Sequence, residues 1–243
     1  MAVILCGETI PRGLDELYTA ALEDAYTWDD LYFVEYFRTV LETILALQKP
    51  VEASTLDHLI GLPEGQECGR TFSALACVVA NEPTVHLLHP TFSDYIFSHT
   101  HCGRDIWHFN PAVCHQHLAL KCLDRLTNGD LKRNMCNSTL SYTPDPKELP
   151  DDITYACLFW IKHLCFADDI EDVQLVVVHL ETFLNKNLLH WFEAMSIVGQ
   201  SQDIAVLLDS LYVWILVSRS STFEIVTQHI ATIGKHPQSG RSF

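Results

Sequence analysis

Apolar residues recur at helical spacing along almost all of this chain. The pattern gives way to a two-residue alternation at one place, Val85-His86-Leu87-Leu88, just ahead of His89-Pro90-Thr91-Phe92-Ser93-Asp94-Tyr95. A chain of many helices and so little strand cannot build a core on a sheet, so it must bury helix faces against one another. The fold class that follows is mainly α, with a short β element. The junction itself has a definite chemistry. Thr91 and Asp94 have capping-box spacing, and Pro90 suits a first helical turn, where a missing N–H costs little. His89 is thereby set at the positive end of a helix, beside backbone donors that favour an anion. The plainer reading is a strand-to-helix corner whose histidine packs or caps.

The helices read as follows. Leu14, Leu17, Tyr18, Ala21 and Ala25 share one face of a first helix, and Phe33, Phe37, Val40, Leu41, Ile44 and Leu45 one face of a second that Pro50 closes. Ser54 and Asp57 have the spacing to open a third, ended by Gly61 and Pro63. A fourth runs through Phe72, Leu75, Ala76 and Val79. Three helices followed by a strand hairpin or single strand is the order of a winged helix. Beyond Pro111 the spacing is helical through Leu126, from Pro150 through Leu164, and over 173–184, 188–198, 204–217 and 223–233. Between them, 127–150 is polar and holds Asn128-Gly129 and Pro144-Asp145-Pro146, which suits a long connection. The predicted organisation is a helical lead-in over 1–32, a winged-helix domain over 33–110, an irregular α-helical arm over 111–236 and a disordered tail over 237–243. Unequal helix lengths exclude a strict repeat array.

Charge narrows the partners. The formal net charge is −16 over 243 residues, and the basic residues cluster no further than Lys132-Arg133. That predicts no nucleic acid and no anionic membrane as partner. A recognition helix over Gln66 to Ala80 would carry Arg70 as its one positive charge. The apolar run Leu211 to Val217 is far shorter than the roughly 20 residues a bilayer span needs. The opening Met1 to Cys6 lacks the form of a signal peptide, and the nine cysteines include no C-x-x-C pair, so the chain reads as cytoplasmic with reduced thiols.

Catalytic motifs are not visible. Gly65-Gln66-Glu67-Cys68-Gly69-Arg70-Thr71 is one residue too short for a phosphate-binding loop and has Arg where Lys is required. Neither G-x-S-x-G nor H-E-x-x-H occurs. His99-x-His101-Cys102 and Cys114-His115-x-His117 offer zinc-ligand side chains, but not the C-x2–4-C and H-x3–5-H spacings of structural sites. No metal and no catalytic residue is assigned. A metal-dependent or small-molecule enzyme using the stretch 99–117 stays open as the alternative.

Six segments in order carry a resemblance: Gly13-Leu14-Asp15-Glu16-Leu17-Tyr18, Phe37-Arg38-Thr39-Val40-Leu41, Leu88 to Tyr95, Leu131 to Cys136, Leu149 to Cys157 and Leu189 to Ser196. Together they resemble the region following the nucleotide-binding core of fungal NACHT-type proteins, the NOD-like-receptor branch of the STAND NTPases, over roughly 12–218. The resemblance implies a winged helix and a helical arm that act through protein contacts. It also implies that His89, with Thr91, Phe92, Asp94 and Tyr95 around it, occupies the position that approaches the β-phosphate of ADP in the closed state. The phosphate loop and acidic strand of such a core are not found ahead of residue 12. No bound cofactor is therefore expected here, and ADP or ATP would enter only in an intact receptor or with an NTPase core supplied in trans. No ATPase activity is expected, self-association through uncovered apolar faces is, and His89 should lie at the surface.

Overall fold

A computed structural model describes residues 12–25, 28–62, 68–69, 72, 75–129, 131, 149–167 and 172–218. The chain divides into two compact units, 1–111 and 112–243. The described residues are mainly helical, with one two-stranded antiparallel sheet. The segment predicted as a helix over 223–233, the tail and most of the polar connection 127–150 lie outside the described residues.

Among the described residues the first unit opens on α1 (Arg12–Ala25) and α2 (Leu31–Ala46). Asp30 caps α2, its carboxylate accepting from the Tyr32 and Phe33 amides, and the helix buries Phe37, Val40, Leu41 and Ile44. Next comes α3 (Ala53–Ile60), which ends on Gly61 at φ 75°, a left-handed conformation that glycine adopts without a Cβ penalty. The spacing of Ser54 and Asp57 does not form a capping box. Glu52 stands at the N-cap without a side-chain bond, and the Asp57 carboxylate instead accepts from the Cys68 amide at 2.9 Å.

Strands β1 (Val79–Ala80) and β2 (His86–Leu87) pair with Val79 opposite Leu87 and Ala80 opposite His86. Val85 also bridges Val51, between α2 and α3. The short sheet thus pairs the segments before and after the turn, with an isolated bridge from Val85 back to the chain that follows α2. Val79, predicted as helical, is a strand residue. The helical turn ahead of it closes through Val78 N–H to the Leu75 carbonyl, and Val79 then leaves to pair. After β2 the chain enters α4 (Pro90–Phe97) directly, with Phe92, Tyr95 and Ile96 buried. Arg38 of α2 ties down the following segment by donating to the carbonyls of Ile106 and His108, while its guanidinium lies over Phe109.

The second unit holds α5 (Pro111–Asn128), α6 (Asp151–Phe166), α7 (Val173–Lys186), α8 (Leu188–Ile197) and α9 (Ile204–Val217). Its centre is Trp160, Phe183 and Trp191, all fully buried and packed edge to face at 5.0–6.4 Å. Trp191 Nε1–H donates to the Cys157 carbonyl at 3.0 Å and Trp214 Nε1–H to that of Ala167 at 3.3 Å, so two of the indoles keep a polar partner in the core. Gly199, at φ 76°, separates α8 from α9.

Candidate functional site

His89 is the N-cap of α4 and is exposed. Pro90 takes the first helical position, so the capping residue must be the one before it. Thr91 therefore stands at the second helical position and is not the cap that its spacing to Asp94 suggests. With an extended backbone (φ −145°, ψ 135°), His89 turns its ring toward the helix start, and Nδ1 accepts the Thr91 amide hydrogen at 3.2 Å. The same Nδ1 lies 2.7 Å from the Thr91 hydroxyl, which lies 2.7 Å from the hydroxyl of Tyr18 on α1.

Around this corner α1 is joined by polar contacts to α4 and to the segment that follows it. Thr19 Oγ1 and Tyr95 Oη are 2.8 Å apart, and the Tyr95 hydroxyl also accepts from the Gly103 amide. His101 Nδ1 lies 2.6 Å from an Asp15 carboxylate oxygen, and Arg104 pairs loosely with Glu23 at 3.5 Å. The Tyr18 ring packs on Phe92 and Tyr95, with centroids at 5.3 and 5.4 Å. Burial pushes the Tyr95 phenol up, against the hydrogen bond from Thr19.

The histidine- and cysteine-rich stretch 99–117 is divided between the two units at residue 111. His99 stacks on His108 with centroids 3.4 Å apart. Burial, and then the His99 ring, hold His108 below the usual histidine range. His115 faces His163 of α6, Nδ1 to Nδ1 at 3.0 Å, and His163 Nε2 lies 3.1 Å from the Tyr155 hydroxyl. Desolvation depresses both rings, His115 to about 4 and His163 to about 3. Among the described residues no group of three or more His, Cys, Asp or Glu side chains is arranged to hold a metal ion. Burial raises the thiols of Cys68, Cys102, Cys122, Cys157 and Cys165, opposite to what a nucleophilic or metal-ligating thiolate needs.

The second unit has an open groove of about 610 Å³ lined by Cys165, Val206, Asp209, Val213, Trp214 and Val217. On α9, Val206, Val213, Leu216 and Val217 are all more than half exposed. No described helix is long and apolar enough to cross a membrane.

Sequence reasoning locates His89 at its helix start. It misses the Tyr18–Thr91 link and the His115–His163–Tyr155 network. Their partners stand 73 and 48 residues apart, and no local spacing encodes such pairings.

No family model matches the chain, and no solved structure does. Among curated proteins it is similar to Vegetative incompatibility protein HET-E-1 of Podospora anserina, 22% identical over 225 residues. That similarity takes in 79% of this chain and 16% of the length of HET-E-1, so the chain spans a small part of the relative it matches.

Proposed function

We propose that this chain is a non-catalytic regulatory and interaction module of the kind that follows the nucleotide-binding core in fungal NACHT-type NOD-like receptors. In this reading it acts in the cytoplasm through protein contacts and reports nucleotide state when such a core is present, in the same polypeptide or in trans. His89 is the sensing residue. The observation that carries the reading is its placement: an exposed histidine at a helix N-terminus whose Nδ1 is occupied by its own helix. The outer nitrogen is left to meet a phosphoryl oxygen. The distant similarity to HET-E-1 supports the same family context.

The 243 residues contain no phosphate-binding loop, so the Lys and backbone cradle that hold ATP would come from the core. A net charge of −16 makes an acidic surface, suited to protein partners and not to nucleic acid. Within 99–117, His99 stacks on His108, His101 meets Asp15 and His115 meets His163.

The test is ADP retention in a complex reconstituted from this chain and a NACHT-type nucleotide-binding core. His89→Ala should speed ADP release, because a ligand stabilises a closed state only through contacts made preferentially there. An unchanged ADP off-rate in a complex that still assembles would refute the sensor role. Micromolar ADP binding to the chain alone would refute the need for a core.

A further inference from the structure

The contacts of His89 define more than its position. Its Nδ1 receives the Thr91 backbone N–H, and an N–H can only donate. Nδ1 therefore carries a lone pair, and the proton of the neutral ring sits on Nε2. The Thr91 hydroxyl, 2.7 Å from the same Nδ1, must then be a donor to it as well. Having committed its hydrogen to His89, Thr91 Oγ1 is an acceptor for its other neighbour, the Tyr18 hydroxyl at 2.7 Å. All three donors run one way, from Tyr18 O–H to Thr91 O–H to His89 Nδ1, with the Thr91 amide pointing the same way.

We infer that Tyr18 and Thr91 are positioning residues that hold His89 in the Nε2–H tautomer, so that the seating of α1 on α4 sets the hydrogen-bond donor His89 offers outward. The relay stands on its own geometry; its use, presenting a donor to a phosphoryl oxygen, rests on the sensor reading proposed above. A phosphoryl oxygen accepts hydrogen bonds only. The Nε2–H tautomer attracts it, and the Nδ1–H tautomer would turn a lone pair toward it.

Tyr18 is suited to report whether α1 is seated. It is 5% exposed, and its ring is fixed against Phe92 and Tyr95, so its hydroxyl reaches Thr91 only while α1 is docked. The Tyr18 donor polarises the Thr91 hydroxyl toward Nδ1, and without it that bond to the ring weakens. The preference of His89 for one tautomer then falls, although the Thr91 amide and hydroxyl still favour it.

The experiment is a two-bond proton–nitrogen correlation spectrum of the His89 ring in the full chain at about pH 8, where an ordinary histidine is neutral. His89→Gln identifies the signals by removing them. In the unaltered chain the proton should be on Nε2 and the lone pair on Nδ1. Thr91→Val, which keeps the shape and the amide, should move the tautomer ratio about fivefold toward Nδ1–H, the effect of losing one neutral hydrogen bond, and Tyr18→Phe, which keeps the ring packing, should move it the same way by less. Thr91→Ser restores the hydroxyl and should restore the ratio. Amide spectra elsewhere in the first unit report that each variant is folded. A proton on Nδ1 in the unaltered chain would overturn the relay. So would ratios that neither Tyr18→Phe nor Thr91→Val moves. A shift with Thr91→Val alone would overturn the coupling to α1. These outcomes do not depend on nucleotide, so a failed phosphate contact and a failed relay are told apart.

Discussion

Acidification should destabilise the second unit through His163. This ring is fully buried, and desolvation, then the charges of His115 and Lys162, hold it at about 3. Unfolded, it returns to an ordinary value near 6.5. A depressed histidine binds more protons in the unfolded chain than in the folded one. Stability therefore rises with pH across the interval and is lost as pH falls from about 6.5 toward 3. Between about pH 7.5 and pH 5 the unfolded ring gains its proton while the folded ring does not, a difference of about 2 kcal/mol from His163 alone. His115, held near 4 by the same cause, adds in the same direction, less because it is partly open to solvent.

The variant that isolates this is His163→Phe. It keeps a ring against Tyr155 and His115 but leaves the Tyr155 hydroxyl and His115 Nδ1 without this partner, at a cost of about 1–3 kcal/mol near neutrality. That cost should shrink by about 2 kcal/mol at pH 5, because the variant has no buried imidazole to keep neutral. The measurement is urea denaturation followed by tryptophan fluorescence, in which Trp160 and Trp191 report on the unit that holds His163. A gap between wild type and variant that is unchanged from about pH 7.5 to pH 5 would refute the argument. It would mean that His163 takes its proton inside the folded unit.

Other perturbations test the packing directly. Arg125 donates to the carboxylate of Asp152, which is 3% exposed, so Arg125→Ala should destabilise by about 3 kcal/mol in denaturation. Glu23→Gln at the exposed pair with Arg104 should stay within about 0.5 kcal/mol. In native thiol labelling read by mass spectrometry, exposed Cys77 should react promptly, while Cys122 and Cys157 should react only after unfolding. The exposed apolar stripe of α9 should drive self-association, which Val206→Lys with Val217→Lys should weaken in sedimentation without lowering the denaturation midpoint.

The helices are legible in the sequence because each has an apolar stripe of 3.6-residue period, and Gly61 and Gly199 mark ends that need a positive φ. Their junctions are less so. Val79 continues the helical spacing from Phe72 and Leu75, yet it pairs with Leu87, because a strand partner outweighs a spacing that fits either element. Val51 bridges Val85 from outside any apolar run. Asp57 has a capping-box spacing to Ser54, but its carboxylate is drawn to the Cys68 amide, a donor that only the folded chain brings within reach. The same holds for the buried polar pairs. Arg125 with Asp152, and His115 with His163, are unremarkable in their own segments and become partners only when their helices pack.

The role of His89 divides along that line, and the division can be measured. Its place at a helix start is local information, carried by Pro90 at the first helical position. Capping alone does not call for histidine, since Asn or Asp accepts the second or third amide at least as well. Because Nδ1 does cap α4, His89→Ala should cost the isolated chain about 1 kcal/mol, whereas His89→Asn should restore that stability by supplying a side-chain oxygen. What Asn cannot restore is a donor at the place of Nε2, held outward by a ring. In a complex with a nucleotide-binding core, His89→Asn should therefore release ADP as fast as His89→Ala, although it caps the helix as well as the histidine does. Chemical denaturation of the chain and ADP off-rates of the complex give the two readouts. If His89→Asn restores both, the histidine is a cap and nothing more.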